Sequence, residues 1–547
     1  MYWAIKPFFV FAAIAGSFSY FIFRSKILLN TLTSLPTKAD RSDHIPSRIK
    51  SVFVDVLGQR RVLKKKAPGI AHTMIFWGFI IITIGTVEMM VDGIFRGVNL
   101  SLLGEAIYGR YLLVADIMTL AVLSGVCFGF FRRLVLKPAY LKTGVDALTV
   151  LAFTAGLMLA LFGMNSFRVA ADPGSTLNQY FFVSGFLGNI IHQSGLSPDL
   201  AFVGSEVFYW LHLLLVLGFL MYIPRSKHLH ILAAGPNIFF RQLGTSKAMI
   251  KTDLEDENAT SFGLGKISDL SWKGALDLYA CTECGRCQEA CPASLTGKPL
   301  SPSNLVHDFR TELFAHQAAI LAKKTEELPN VVRADSGVTE DVIWACTSCR
   351  ACEEVCPVHI EQTTLIFESR KNLVLMQSSF PAEMQTVFRN LENNFTPWAF
   401  GSDTRADWCR DLEVKQMADH PTAEVLYYVG CAGSFDDRAK KVATAIVKLL
   451  KKANVDFAIL GKEEKCNGDP ARRAGNEYLA QMLIKENVET LNKYKPRKIL
   501  TGCPHCFNTL KNEYPAFGAK MQISESDYNC TNIDDLLNTI DECLKIN

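Results

Sequence analysis

Hydrophobic positions divide the chain into two unlike halves. Up to residue 224 they form long unbroken runs, and beyond it they are interleaved with charge as in soluble domains. Five runs, at about 7–29, 69–91, 110–131, 145–166 and 205–224, approach the roughly 20 residues that carry a helix across a bilayer core. The first shares a small-residue step, Ala13-Ile14-Ala15, with cleaved leaders. Only Lys6 precedes it, however, and the apolar stretch continues to Phe23, so a retained span is expected. In the polar half, 304–323 has helical periodicity. Short apolar runs at 425–430, 457–460 and 498–502 alternate with helical patterns at about 435–452 and 471–493, which predicts repeating β–α units on a parallel sheet.

Charge fixes an expected orientation. Nine lysines and arginines lie between Lys38 and Lys66, Arg132, Arg133, Lys137 and Lys142 follow span three, and Arg225 and Lys227 follow span five. The opposite connections, 92–109 and 167–204, are nearly free of them, which puts the N-terminus outside and the polar half in the cytoplasm. Ionisable groups inside spans are costly and mark candidate sites. His72 lies at the cytoplasmic start of span two, His212 in the outer half of span five, and His228 and His230 just past its cytoplasmic end. Two imidazoles at one depth suit a bis-histidine haem b. At 1.5 Å per residue His212 is about 18 Å from the end of its helix, so His72 pairs with His230, or His228, on a continued last turn. Histidines that merely cap helix ends are the plainer reading. His212 is either the ligand of a second haem, with Ile82 where a partner would be expected, or joins Glu88 and Asp116 in serving protons to a quinone. A packed, hydrogen-bonded polar group is the third option.

Composition adds the chemistry. The 547 residues allow three or four domains, and the net charge of +3 averages over both halves; nothing points to nucleic acid. Of sixteen cysteines only Cys127 lies in the apolar half, and most of the rest have cluster spacings, which argues for a reducing compartment. Cys281, Cys284, Cys287, Cys291-Pro and Cys346, Cys349, Cys352, Cys356-Pro each read C-x2-C-x2-C-x3-C-P, the run that holds cubane iron–sulfur clusters. The fourth cysteine of such a run ligates the other cluster. One [4Fe–4S] cluster is therefore assigned to Cys281, Cys284, Cys287 and Cys356, and a second to Cys346, Cys349, Cys352 and Cys291. Zinc, the alternative for paired C-x2-C motifs, does not explain eight cysteines in two matching runs. Arg286 and Arg350 inside these runs either tune the clusters by charge or are solvated. Cys431, Cys466, Cys503 and Cys506 fall just beyond predicted strands or open a helix, where an α/β sheet gathers its ligands. They suit a third iron–sulfur cluster, with zinc or free thiols as alternatives. No Gly-rich dinucleotide fingerprint is present.

Resemblances sharpen this. Trp210-x-His212 and Pro224-x-Ser226-Lys227-His228-x-His230 on a five-span domain resemble the gamma subunit of respiratory nitrate reductase and heterodisulfide reductase cytochrome b subunits, which implies haem ligation from spans two and five. The 54-residue insert (292–345) between the cysteine runs resembles the helical ferredoxin domains of succinate dehydrogenase iron–sulfur subunits and heterodisulfide reductases. Cys431, Cys466, Cys503 and Cys506 resemble the CCG cysteine-rich domain, but Asn467 stands where the family has a further cysteine, which leaves an ordinary four-cysteine cluster. The whole order, with Cys466-Asn-Gly-Asp-Pro-Ala-Arg-Arg and Cys503-Pro-His-Cys-Phe-Asn, resembles the membrane iron–sulfur oxidoreductases that link electron-transfer flavoprotein to menaquinone.

The expected architecture is multidomain. A five-helix transmembrane bundle (1–230) and a connector (231–270) precede an α-helical ferredoxin domain with two [4Fe–4S] clusters (271–375). A linker (376–423), an α/β CCG-type cysteine-rich domain (424–518) and a tail without a motif (519–547) follow. The resemblance implies a bacterial cytoplasmic-membrane enzyme passing electrons from the flavoprotein to the menaquinone pool. The alternatives are a quinol-coupled heterodisulfide reductase and an electron-transfer subunit without its own substrate. Family members continue into a second CCG domain, whereas Cys530 and Cys543 have no cluster spacing, so that half is expected on a separate subunit or a longer chain.

Overall fold

Each apolar run folds as a helix, as hydrophobic sequence with few interior breakers should: α1 (Tyr2–Ser34), α2 (Lys66–Ile94), α3 (Glu105–Phe131), α4 (Val145–Ala171) and α5 (Pro198–Tyr222). In this computed structural model residues 2–36, 41–243, 249–257, 259–519 and 530–532 are described. Lys38, Asn258 at the end of an acidic patch, and Cys543 lie outside the described residues. All five helices are long and apolar enough to cross a membrane. Their outward faces carry exposed Phe8, Phe79, Leu159 and Val207, the reverse of a water-soluble bundle. Small residues set the contacts between them. A methyl group at Gly78 would overlap Val122, and one at Gly163 would overlap Phe208.

Two departures from the sequence reading concern the ends of spans. The connection 167–204 contains a helix, Val183–Gln193, whose first amides are capped by the buried carboxylate of Asp116 (Val183 N at 2.6 Å, Ser184 N at 3.2 Å). And span five does not continue to His230. Pro224 interrupts it in a 3-10 turn, a second turn begins at Ser226, and His230 opens a new helix, α6 (His230–Phe239).

The chain forms two compact units. The first comprises residues 1–241, 270–329 and 333–362; the second comprises 242–269, 330–332 and 363–547. The first therefore holds all five long helices together with both four-cysteine runs, joined by α7 (Trp272–Ala280) and α8 (Pro302–Leu321). Helix α8 lies within two residues of its expected bounds at either end.

The second unit is built on a parallel sheet with β1 (Val425–Tyr427), β2 (Phe457–Ala458), β3 (Lys498–Thr501) and β4 (Cys530–Asn532) in the order β2-β1-β3-β4. Leu426 pairs with Ala458 on one side and Ile499 on the other. The fourth strand lies in the tail expected to carry no motif; three residues are too few to show a period. Alternation along β1 serves two cores. Val425 and Tyr427 pack with Ile446, Val447 and Leu450 of α9 (Asp437–Lys452), while Leu426 packs with Ile484 and Val488 of α10 (Glu477–Tyr494) and Leu510 of α11 (Pro504–Asn512). Strand β1 returns to β2 on one side and the chain then crosses to β3 on the other. The carboxyl ends of β1 and β3 thus form the switch point where such sheets bind ligands.

Behind this edge Arg472 is fully buried between the carboxylates of Glu477 and Glu513. Replacing one partner of such a pair strands the other charges. Arg472→Ala should therefore destabilise the sheet domain by about 3–5 kcal/mol in denaturant unfolding, and an unchanged midpoint would refute the pairing.

Candidate metal centres

Both cysteine runs use the same backbone device. Two residues after the first cysteine, Glu283 and Ser348 have φ of 52° and 61°; four residues after it, Gly285 and Arg350 have φ of 74° and 58°. These left-handed positions curl three thiols to one side, and short helices (Arg286–Glu289 and Ala351–Glu354) carry the chain on to Cys291 and Cys356. Arg350 adopts a conformation that costs a non-glycine residue energy, which shows how firmly the curl is imposed.

The fourth cysteines cross over. One cavity is lined by Cys281, Cys284 and Cys287 of the first run and by Cys356 of the second. Conversely, the Cys352 thiol is crowded by Cys346 and Cys349 of its own run and by Cys291 of the first. Burial above all, with added repulsion from neighbouring thiols, pushes Cys281 up to about 12 and Cys356 up to about 11. Thiols held this way ionise together only against strong positive charge, which iron supplies. Among the described residues no three His, Cys, Asp or Glu side chains converge on one point as a single ion would need; the thiols instead rim a space. That arrangement fits clusters better than zinc. Amides approach the sulfurs, Ser348 N to Cys346 Sγ and Ile360 N to Cys356 Sγ, each at 3.4 Å, bonds of the kind that tune cluster potential.

The histidines near the start of α2 and at the start of α6 face one another electrostatically. His72 is within electrostatic reach of His230 and His228, and the His228 and His230 rings are 5.1 Å apart. His72 Nδ1 faces Gln59 Oε1 at 3.0 Å, and His230 Nδ1 faces the Lys227 carbonyl at 3.0 Å. Each Nδ1 is thus the donor, which turns the bare Nε2 lone pair outward, the orientation that partners impose on metal-binding imidazoles. Burial lowers His230, and burial with the His230 charge lowers His228 to about 3, so both are neutral, the ligating form. These residues fit a bis-histidine haem.

His212 is apart from them and fully buried. Its Nδ1 faces the Leu157 carbonyl at 3.1 Å and its Nε2 faces Thr86 Oγ1 at 3.3 Å, so the residue opposite it on α2 is Thr86, not Ile82. Threonine does not complete a haem pair, and the packed polar group is the reading that fits. Of the carboxylates grouped with it, Asp116 caps the helix at Val183 and Glu88 accepts from Leu100 N at 3.0 Å.

In the second unit Cys431 follows β1, Cys466 follows β2, and Cys503 and Cys506 follow β3. A hydrogen bond from Cys466 and the adjacent Arg405 guanidinium pull Cys431 down to about 6 (Arg405 Nη2 to Sγ, 3.3 Å); bonds from the Cys506 thiol and nearby amides pull Cys503 down to about 6. The two pairs adjoin, since Cys506 feels the charge of Cys431 and an added Cβ at Gly430 would lie 3.0 Å from Cys506 Sγ. Asn467 is structural here. Its Oδ1 accepts from Asp469 N at 2.9 Å, and its carbonyl accepts from Tyr514 Oη at 3.1 Å.

Arg405 and Glu464 form a buried pair at 3.0 Å, and Glu464 also accepts the amides of Val429 and Gly430 at 2.8 Å. Sequence reasoning missed both, as it missed Gln59. Arg405 lies in a stretch expected to be linker, and no local pattern marks it.

Residues 277–360 match the family described as a 4Fe-4S dicluster domain, and residues 425–511 match the cysteine-rich domain family. The chain is 36% identical over 532 residues to the Bacillus subtilis (strain 168) protein named "Probable iron-sulfur-binding oxidoreductase FadF", a match that covers 89% of this chain and 74% of that one. It is 35% identical over 521 residues to the EtfAB:quinone oxidoreductase of Syntrophomonas wolfei, covering 88% of this chain and 71% of the relative. The chain belongs to this family of iron–sulfur oxidoreductases. A more distant relative is a component of the dihydromethanophenazine:CoB–CoM heterodisulfide reductase of Methanosarcina barkeri, 29% identical over 248 residues, which are 44% of this chain and 58% of that one. No solved structure matches.

Within this oxidoreductase the crossover has a direct test. Cys356→Ser should remove the EPR signal of the cluster held mainly by the first run, and Cys291→Ser that of the cluster held mainly by the second. Loss of the same signal from both variants would refute the exchange of fourth ligands.

Proposed function

We propose that this oxidoreductase carries single electrons from a reduced flavoprotein of the electron-transfer type, through its iron–sulfur clusters and a haem b on His72 and His230, to menaquinone in a bacterial cytoplasmic membrane. The N-terminus would face outward and the cysteine domains the cytoplasm, as the lysines and arginines of the connecting loops favour. The relative named as an EtfAB:quinone oxidoreductase supports the flavoprotein donor and the quinone acceptor.

One observation carries the reading: the first cysteine loop rests on the loop after α3 and, through Arg286, on the Arg61 and Val62 carbonyls just before the helix that brings His72. Gly285 is apposed to the Tyr140 carbonyl so closely that any side chain would overlap it. Burial would raise the Glu283 carboxyl, but its His307 hydrogen bond and the charges of Arg310 and Lys227 hold it down at about 2; Lys227 directly precedes His228. A haem bound at His72 and His230 would accept and release single electrons without bond making. The chain's own part is to seat the loop and to orient the imidazoles through Gln59 and the Lys227 carbonyl. Cys431, Cys466, Cys503 and Cys506 would hold a third cluster with four thiolate ligands. Asn467 disfavours disulfide reduction, because the fifth thiolate that chemistry uses in the resembling family is absent.

Mixing the reduced flavoprotein with the purified protein in menaquinone-containing vesicles should reduce the haem and then the quinone. Clusters that reduce while the Soret band stays oxidised would contradict the route. His72→Ala and His230→Ala should each abolish the haem absorbance, whereas His212→Ala should retain it; the opposite pattern would move the site.

A further inference from the structure

Arg286 belongs to the first cysteine run yet bonds to the helical half of its unit. Flanked by Gly285 and Cys287, it lines the cavity of the first cluster and is 9% exposed, so it is not the solvated surface residue its position in a polar loop allowed. Its Nη1 donates to the Arg61 carbonyl at 2.9 Å and its Nη2 to the Val62 carbonyl at 2.8 Å. Arg61 returns the contact from the other side. Its Nη1 donates to the carbonyls of Glu354 at 2.7 Å and Cys356 at 3.2 Å, and Cys356 lines the same cavity. Two arginines thus tie both walls of one thiol-lined space to a single turn, Arg60–Leu63.

That turn is fitted onto the first turn of α2. A Cβ at Gly69 would lie 2.7 Å from the Val62 carbonyl oxygen, and His72 follows three residues on. Arg286 is also one of the charges that act on His72. Among the described residues no carboxylate pairs with Arg286. It donates to two adjacent carbonyls, so the guanidinium serves as a bidentate clamp, which lysine's point charge cannot replace.

We propose that Arg286, clasped reciprocally with Arg61, is a positioning residue that fixes the first cluster against α2 and sets the rate at which an electron passes between that cluster and the haem on His72. The inference rests on the haem placement proposed above. The step moves one electron from a reduced cluster to ferric iron, with no bond or proton transferred.

The test uses the full-length holoprotein, with the clusters reduced by a flash from a soluble photoreductant and haem reduction followed in the Soret band. Arg286→Gln should slow haem reduction roughly tenfold or more, the worth of a charge-assisted hydrogen bond in a docking equilibrium, while the cluster EPR signals remain. Arg286→Lys should keep the cluster potential near that of the unaltered protein but leave the rate low. Arg61→Gln, which replaces no residue of either cysteine run, should slow the step as well and decides the matter if Arg286→Gln loses its cluster. Rates equal to the unaltered protein in Arg286→Gln or Arg61→Gln, with clusters intact, overturn the inference. A haem that no reduced cluster can reach even in the unaltered protein overturns instead the route on which it rests.

Discussion

Thiols buried side by side repel one another as they ionise, and that repulsion is the constraint behind this molecule. Cys281 and Cys356, 75 positions apart in the chain, share a lining, and Cys352 is crowded by Cys291 from the opposite run. Iron relieves the repulsion only if the thiolates are held before it arrives. The left-handed residues at matching places in both loops do that holding, at a conformational cost that Gly285 avoids and Arg350 bears. Each loop thus has a cysteine of the other beside its thiols, Cys356 by the first and Cys291 by the second.

The second constraint is continuity. Electron carriers are useful only when adjacent, and here backbone carbonyls share the docking with ion pairs such as Lys64–Glu354 and Lys65–Glu289. The Gly285 backbone meets a carbonyl of the loop after α3, Arg286 bonds to two carbonyls, and Arg61 bonds to carbonyls while also pairing with the Glu354 carboxylate at 3.6 Å. Backbone partners do not titrate and lose less to salt than exposed ion pairs do. At the other end of the bundle, polar groups have structural work instead: Asp116 caps a helix, and His212 is satisfied by Thr86 and the Leu157 carbonyl.

Much of this was legible in the sequence because the signals are local or periodic. Apolar length predicted the five long helices that form, and cysteine spacing predicted two loops that each have a cysteine of the other beside them; the pairing of His72 with His230 that helical rise suggested stays part of the proposal. What escaped has a physical pattern too. The break at Pro224 makes His230 open a new helix instead of lying on a continued last turn of span five. Strand β4 is too short to show alternation, and the helix at Val183 hides in a connection marked only by its lack of charge. Gln59, Arg61, Arg405 and Glu464 act through partners distant in the chain, and no spacing rule reaches them. Thr86, rather than Ile82, faces His212, a difference of one helical turn that counting residues from the helix ends does not resolve.

The most direct measurement is magnetic. With the first cluster reduced, its EPR spin relaxation should be fast while a haem on His72 and His230 is ferric and slow once that haem becomes diamagnetic and ferrous, because the proposed haem would lie in the same unit as the first cysteine run. Relaxation that is the same in both haem states would contradict a cysteine loop seated beside His72 and His230.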